Sequence, residues 1–237
     1  MERNIRELKE KLLAEKEHDM ESVAELVRVL RSEEGCPWDR EQDHRSIRSE
    51  FIEETYEAVE AIDREDPVLL CEELGDVLFQ VVFHTEIERE AGRFGLGDVT
   101  RGVVDKMIAR HPHVFGETKV KDTGEVLDNW DRIKTEEKSR STLKSVLAAV
   151  PKQYPALLRA KKVAKKAEKG GISFGMEDEK REKLLSLAKR SAEAEGEERN
   201  ALLAQLVWQA VILAGPDADT EKDLGFLIDG FIEKTEE

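Results

Sequence analysis

The stretch FIEETYEAVEAIDREDPVLLCEELGDVLFQVVFH, residues 51–84, decides the fold. Its first half predicts a helix from about Ser46 to Arg64 on Phe51, Val59 and Ile62, and its second half predicts a helix from Pro67 to about Ala91. Between them, Asp66 offers an N-cap oxygen and Pro67 a preset first-turn φ, so the two helices should form an antiparallel αα-hairpin. Leu69, Leu70, Leu74, Val77, Leu78, Phe79, Val81, Val82 and Phe83 occupy most of the second helix's circumference, the pattern of a buried helix. Its polar seam is Glu72, Glu73, Asp76 and Gln80, with the last three on one stripe, and the first helix carries Glu53, Glu54 and Glu57. Like charges one turn apart repel by a few tenths of a kcal/mol in water. A carboxylate withdrawn from water must be protonated, paired with a base or bound to a metal. Residues 65–84 contain no Lys or Arg to act as that base. Gly75, beside Asp76, permits close helix approach at a cost of about 1 kcal/mol relative to Ala. The facing acidic stripes therefore predict a metal site.

Oxygen donors without Cys or His favour Mg²⁺, with Mn²⁺ as a substitute, over zinc or copper. A di-iron bundle would need two E-x-x-H motifs, and only Glu15 to His18 has that spacing. The sequence has no G-x-x-x-x-G-K-[ST] loop, so carboxylate-held Mg²⁺ would meet phosphates by another route. Because Mg²⁺ keeps positions open for phosphate oxygens and water, the expected chemistry is phosphoryl or nucleotidyl hydrolysis.

The rest of the chain suits an all-α fold. Only 6 of 237 residues are proline and 5% are aromatic, while Leu, Ala, Glu, Lys and Arg abound. Further helical patterns run from Ile5 to about Arg31 and over roughly Val99–Arg110, Val126–Arg140, Leu157–Lys169, Asp178–Ala194 and Glu198–Leu213. Gly35, Cys36 and Pro37 punctuate the first of these, and Gly170 and Gly171 end the Leu157–Lys169 helix.

With 38 Lys and Arg against 53 Asp and Glu, the formal net charge is -15. That balance argues against a nucleic-acid partner, which requires a basic footprint, and favours metal cations. Lys165 and Lys166 read as a solvated helix face. Cys36 and Cys71 form no disulfide framework, which suits a reducing compartment. Met1 to Met20 lacks the apolar segment of a signal peptide. The stretch Val77–Phe83 is too short to span a bilayer. The expectation is a cytoplasmic protein with no membrane partner.

Five segments then carry a resemblance: CPWDREQDH at 36–44, EETYE at 53–57, ELGDVLFQVVFH at 73–84, RHPHVFG at 110–116 and NWDRIKTEEK at 129–138. In order and spacing, from about residue 20 to 140, they closely resemble the MazG-type nucleoside triphosphate pyrophosphohydrolases. The resemblance implies an all-α, homodimeric enzyme that uses Mg²⁺ to hydrolyse nucleoside triphosphates to the monophosphate and pyrophosphate, in nucleotide-pool house-cleaning. It implies Glu54, Glu57, Glu73 and Asp76 as metal ligands and Glu53 as the group that orients or deprotonates the attacking water. It also implies Lys106, Arg110 and Lys134 as phosphate grips, and Trp130 as a wall of the nucleotide site. Trp38 and His44 either line the site or pack the loop and stand outside the catalytic set; His111 and His113 suit a capping or structural role. The rival reading is a non-catalytic, metal-stabilised dimerisation or regulatory module.

The same resemblance suggests tandem helical-bundle modules: a catalytic module at 1–140, a helical connector at 141–171 and a shortened, degenerate second copy at 172–237. Where the first copy has ELGDVLFQVVFH, the second has ALLAQLVWQAVILA at 201–214, and Trp208 and Gln209 there suit packing better than metal binding. The second module is expected to be catalytically silent and to support assembly.

Overall fold

The computed structural model describes residues 4–137 and 142–235, apart from the side chains at 135 and 136. Among the described residues every regular element is helical, so the all-α expectation holds. In chain order they are α1 (Ile5–Ala14), α2 (Met20–Leu30), α3 (Pro37–Glu41), α4 (Arg48–Asp63), α5 (Pro67–Glu90), α6 (Leu96–Arg110), α7 (Pro112–Phe115), α8 (Thr123–Glu137), α9 (Leu143–Ala148), α10 (Ala156–Lys169), α11 (Glu177–Glu193), α12 (Gly196–Ala214) and α13 (Thr220–Thr235). They fall into two compact units, Met1–Trp130 and Asp131–Glu237. The module boundary expected at 140/141 and the expected end of the eighth helix at Arg140 lie outside the described residues.

The periodic stretch from Ile5 to Arg31 is two helices, not one. The charged run from Glu15 to Asp19 has no apolar side chain to hold it against a core, and Asp19 starts a new helix instead. Its carboxylate accepts from the Ser22 amide at 3.0 Å while Ser22 Oγ accepts from the Asp19 amide at 3.3 Å, a reciprocal cap.

The hairpin forms as its turn residues dictate. Asp66 Oδ1 accepts from the amides of Val68 and Leu69 at 3.0 and 3.1 Å, and Pro67 follows as the first helical residue. The chain reverses through Glu65 at φ 54, and the Asp66 amide reaches back to the Ala61 carbonyl at 3.1 Å.

Burial of α5 differs from expectation. The core of the first unit joins Ala24, Val27 and Ile47 to Val82 and Phe83, with Leu78, Phe79, Ile87 and Leu96 packed on it, so it engages the C-terminal half of α5. The N-terminal half has α4 for cover, and Val68 and Leu74 remain 78% and 54% exposed. On α4 itself Ile52, Tyr56, Val59 and Ile62 lie outward on one stripe.

The Cys36–His44 segment is pinned to this core. Buried Arg31 binds both carboxylate oxygens of Glu90, at 3.0 and 2.8 Å, and donates to the carbonyls of Asp39 and Gln42 at 2.7 and 3.0 Å. Its guanidinium also lies 5.1 Å from the centre of the Phe83 ring.

In the second unit α11 and α12 form another hairpin around Leu187, Leu202, Val211 and Ile212. Gln209 is fully enclosed and donates to the Lys180 carbonyl at 3.2 Å. Trp208 meets Phe174 edge to face. The final helix, α13, was not expected; Asp219 supports its start by accepting from the Lys222 amide at 3.4 Å.

Candidate metal centre

The antiparallel pairing of α4 with α5 brings Glu54 and Glu57 against Glu73, with one carboxylate oxygen of each within 4.8 Å of the others. Asp76 lies close enough for its charge to act on both Glu54 and Glu73. Glu73 is buried, Glu54 half-buried, and Glu57 and Asp76 are exposed, so the group lines an open edge of the hairpin rather than a sealed interior. Glu53, on the neighbouring position of α4, is exposed and stands outside the three-carboxylate group.

The electrostatics match that arrangement. The Glu54 carboxyl is pushed up from the ordinary range by burial, then by the charges of Asp76 and Glu57. Glu73 is pushed up by burial, then by Glu57 and Asp76. Two carboxyls held up in this way, with the acidic side chains of Glu57 and Asp76 beside them, form a donor set that favours added positive charge. All the donors are oxygen, which suits a hard divalent cation, so the residues fit a metal.

A carboxyl whose pKa is raised on folding supports the folded state below its unfolded value near 4.5 and withdraws that support as pH rises through the folded value. At neutral pH the metal-free chain thus carries a penalty that a bound cation relieves. Mg²⁺ is expected to raise Tm at pH 7 by several degrees. Glu73→Gln should raise the metal-free Tm by a few degrees and shrink the Mg²⁺ gain. An undiminished Mg²⁺ response in that variant, measured by thermal melting, contradicts the assignment.

A second grouping joins the end of α6 to Trp130, midway along α8. Arg110 is buried, and its guanidinium lies 5.4 Å from the centre of the Trp130 ring. His111 meets the same indole edge-on at 5.0 Å and its Nδ1 lies 2.6 Å from the Met107 carbonyl, a structural placement. Lys106 sits one turn before Arg110 and is exposed. Lys134 is half-buried on α8 within the second unit.

The sequence reading did not anticipate a network at the far end of α5. His44 Nε2 lies 2.5 Å from Glu88, and His44 Nδ1 lies 2.8 Å from His84 Nδ1, which requires one ring to donate and the other to accept. Arg93 grips both oxygens of Glu88 at 2.5 and 2.8 Å. That grip, then the His44 hydrogen bond, pulls the Glu88 carboxyl down to about 2 despite its burial. Its support for the fold is therefore present above 4.5 and lost as pH falls towards 2, opposite in sign to Glu73. His44 thus packs the loop, whereas Trp38 is 58% exposed. The signal available in the sequence was the one-turn step from His84 to Glu88.

Comparison with known proteins bears on the same region. Residues 42–115 match the family model described as the MazG nucleotide pyrophosphohydrolase domain. The chain is 48% identical over 148 residues to the uncharacterized protein YabN of Bacillus subtilis, covering 62% of this chain and 30% of that one. It is 44% identical over 149 residues to a nucleoside triphosphate pyrophosphohydrolase of Escherichia coli K12, covering 63% of this chain and 57% of that one. A Thermotoga maritima protein named nucleoside triphosphate pyrophosphohydrolase/pyrophosphatase MazG is 42% identical over 154 residues, covering 65% and 58%. The chain therefore spans less than two thirds of the length of these relatives. Among the described residues no helix is long and apolar enough to cross a membrane.

Proposed function

We propose that this chain, whose residues 42–115 match the MazG nucleotide pyrophosphohydrolase domain, hydrolyses nucleoside triphosphates to the monophosphate and pyrophosphate with Mg²⁺. The observation that carries this reading is the convergence of Glu54, Glu57 and Glu73 within the matched segment, with Asp76 acting on the same group. These four carboxylates would hold the cation, with Mn²⁺ as a substitute. When bound, the cation supplies Lewis-acid polarisation of phosphate oxygens. Glu53, exposed beside Glu54, accepts the proton of the attacking water. Lys106 and Arg110 offset triphosphate charge, and Trp130, already stacked on Arg110, walls the nucleotide.

Arg110→Ala is expected to raise KM for the triphosphate by roughly tenfold, a charge-assisted contact's worth. An unchanged KM removes Arg110 from the phosphate grip. The reading as a whole is tested by incubating the chain with a panel of nucleoside and deoxynucleoside triphosphates and Mg²⁺. Monophosphate and pyrophosphate are the expected products, abolished by a chelator, whereas no turnover of any triphosphate favours a metal-stabilised regulatory module.

The outward stripe of Ile52, Tyr56, Val59 and Ile62 supports a homodimer through this face of α4, because soluble monomers rarely leave such a strip uncovered. Sedimentation velocity should find a dimer. Residues 172–237 read as a degenerate second module: their hairpin encloses Gln209, hydrogen-bonded to backbone, on the long helix where α5 has its acids. The setting is a cytoplasmic one in which the enzyme cleans the nucleotide pool.

A further inference from the structure

The stripe that carries the carboxylates continues one turn further along each helix. On α4 the hairpin-facing positions are Glu50, Glu54, Glu57 and the fully buried Ala61; on α5 they are Glu73, Asp76, Gln80 and His84. The helices run in opposite senses, and Glu54 is acted on by Asp76 while Glu57 is hydrogen-bonded to Glu73. Stepping one turn back from Glu54 and one turn on from Asp76 therefore brings Glu50 and Gln80 into the same layer. Both end in an oxygen that is shut off from solvent and has no hydrogen-bond partner: Glu50 Oε2 and Gln80 Oε1. Gln80 is 8% exposed, so its orphaned carbonyl is not a surface accident.

A buried oxygen without a partner has given up its hydration and gained nothing in return. As placed, both oxygens present lone pairs to the layer; turning the Gln80 amide would let its NH2 donate to Glu50, but a neutral donor leaves that carboxylate's charge in place. A bridging water would supply two protons, yet it would leave Glu50's charge uncompensated beside four further carboxylates. A cation answers both needs at once: it accepts lone pairs from amide carbonyl and carboxylate alike and it adds positive charge.

From this we infer that Glu50 and Gln80 form a second divalent-cation subsite, one helical turn deeper in the hairpin than the Glu54, Glu57, Glu73 and Asp76 group. The inference rests on the proposed metal-binding role of that outer group. The inner ion takes Glu50 Oε2 and Gln80 Oε1 as protein donors and completes its shell with water or an oxygen of Glu54. It anchors the outer carboxylates by sharing their charge, so the inner ion should bind before substrate arrives.

The test is Mn²⁺ binding to the full chain, counted by electron paramagnetic resonance of free Mn²⁺ in the absence of nucleotide. Glu50→Gln keeps shape and removes the charge, and it should bind one Mn²⁺ fewer per chain than the wild type. Gln80→Glu adds a charge to the same subsite and should bind that ion at least tenfold more tightly. Circular dichroism establishes that both variants keep their helicity. If wild type and Glu50→Gln bind the same non-zero number and Gln80→Glu gains nothing, the subsite is overturned while the outer site stands, as a water-filled layer would give. If the wild type binds no Mn²⁺ at all, the metal reading of the outer group falls, and this inference with it.

Discussion

Asp76→Ala is expected to lower pyrophosphate release by at least about a hundredfold, the scale at which losing a metal ligand exceeds the tenfold to hundredfold cost of disturbing its supports. Asp76 is exposed and lies one turn along α5 from Glu73, so its removal vacates no core space and breaks no described hydrogen bond. Its charge acts on Glu54 and Glu73 together, so it couples the acids of both helices. The variant should therefore keep its helicity and, freed of one repulsive charge, melt no lower than the wild type without metal. Loss of activity with an intact fold is the signature of a ligand. Full turnover in Asp76→Ala, measured as pyrophosphate released at saturating Mg²⁺, would remove the hairpin carboxylates from the reaction.

Gly35→Ala should be the most damaging single-methyl change to the fold, costing about 3 kcal/mol. A Cβ at this position would stand 2.2 Å from the Val29 carbonyl oxygen and 2.3 Å from that of Leu30, both backbone atoms that cannot step aside. The crowding arises because the chain turns back on the end of α2: the Gly35 amide bonds the Ser32 carbonyl at 3.0 Å and the Cys36 amide bonds Leu30 at 2.7 Å. Relieving the clash means opening that turn. Opening it displaces the Cys36–His44 segment, whose carbonyls Arg31 holds and whose His44 is tied to Glu88 and His84. Denaturant unfolding measures the loss; a shift within about 0.5 kcal/mol, the range of innocuous surface changes, would contradict the geometry.

Much of this architecture could be read from residues alone, because each piece was dictated locally. Asp66 and Pro67 fixed the hairpin turn, and the 3.6-residue recurrence of Glu73, Asp76 and Gln80 fixed a stripe. The convergence of Glu54 and Glu57 on Glu73 followed from those two facts. Burial was less legible. An apolar circumference on α5 suggested a helix enclosed along its length, yet coverage depends on which neighbours exist, and the first half of α5 has α4 while Val68 and Leu74 face outward. The break at Asp19 was missed because apolar periodicity in α1 and α2 happens to stay in phase across the charged run, whereas the cap decides the ends. The His44, His84, Glu88 and Arg93 network joins positions far apart in the chain, and no periodic pattern announces such a pairing. Glu50 lies outside the E-E-x-x-E pattern, although it sits one turn before Glu54 on the same face.

That every acid of the outer group comes from two consecutive helices joined by one tight turn has a bearing on how the molecule acquires its shape. Closing so short a loop costs little chain entropy, so the hairpin can pair early. Its own acids oppose that pairing, however, and a cation present during synthesis would remove the opposition at the first step. The same ion that serves the finished protein would then act as a nucleus for refolding. Magnesium in the buffer should accelerate the approach to the native state as well as hold it there.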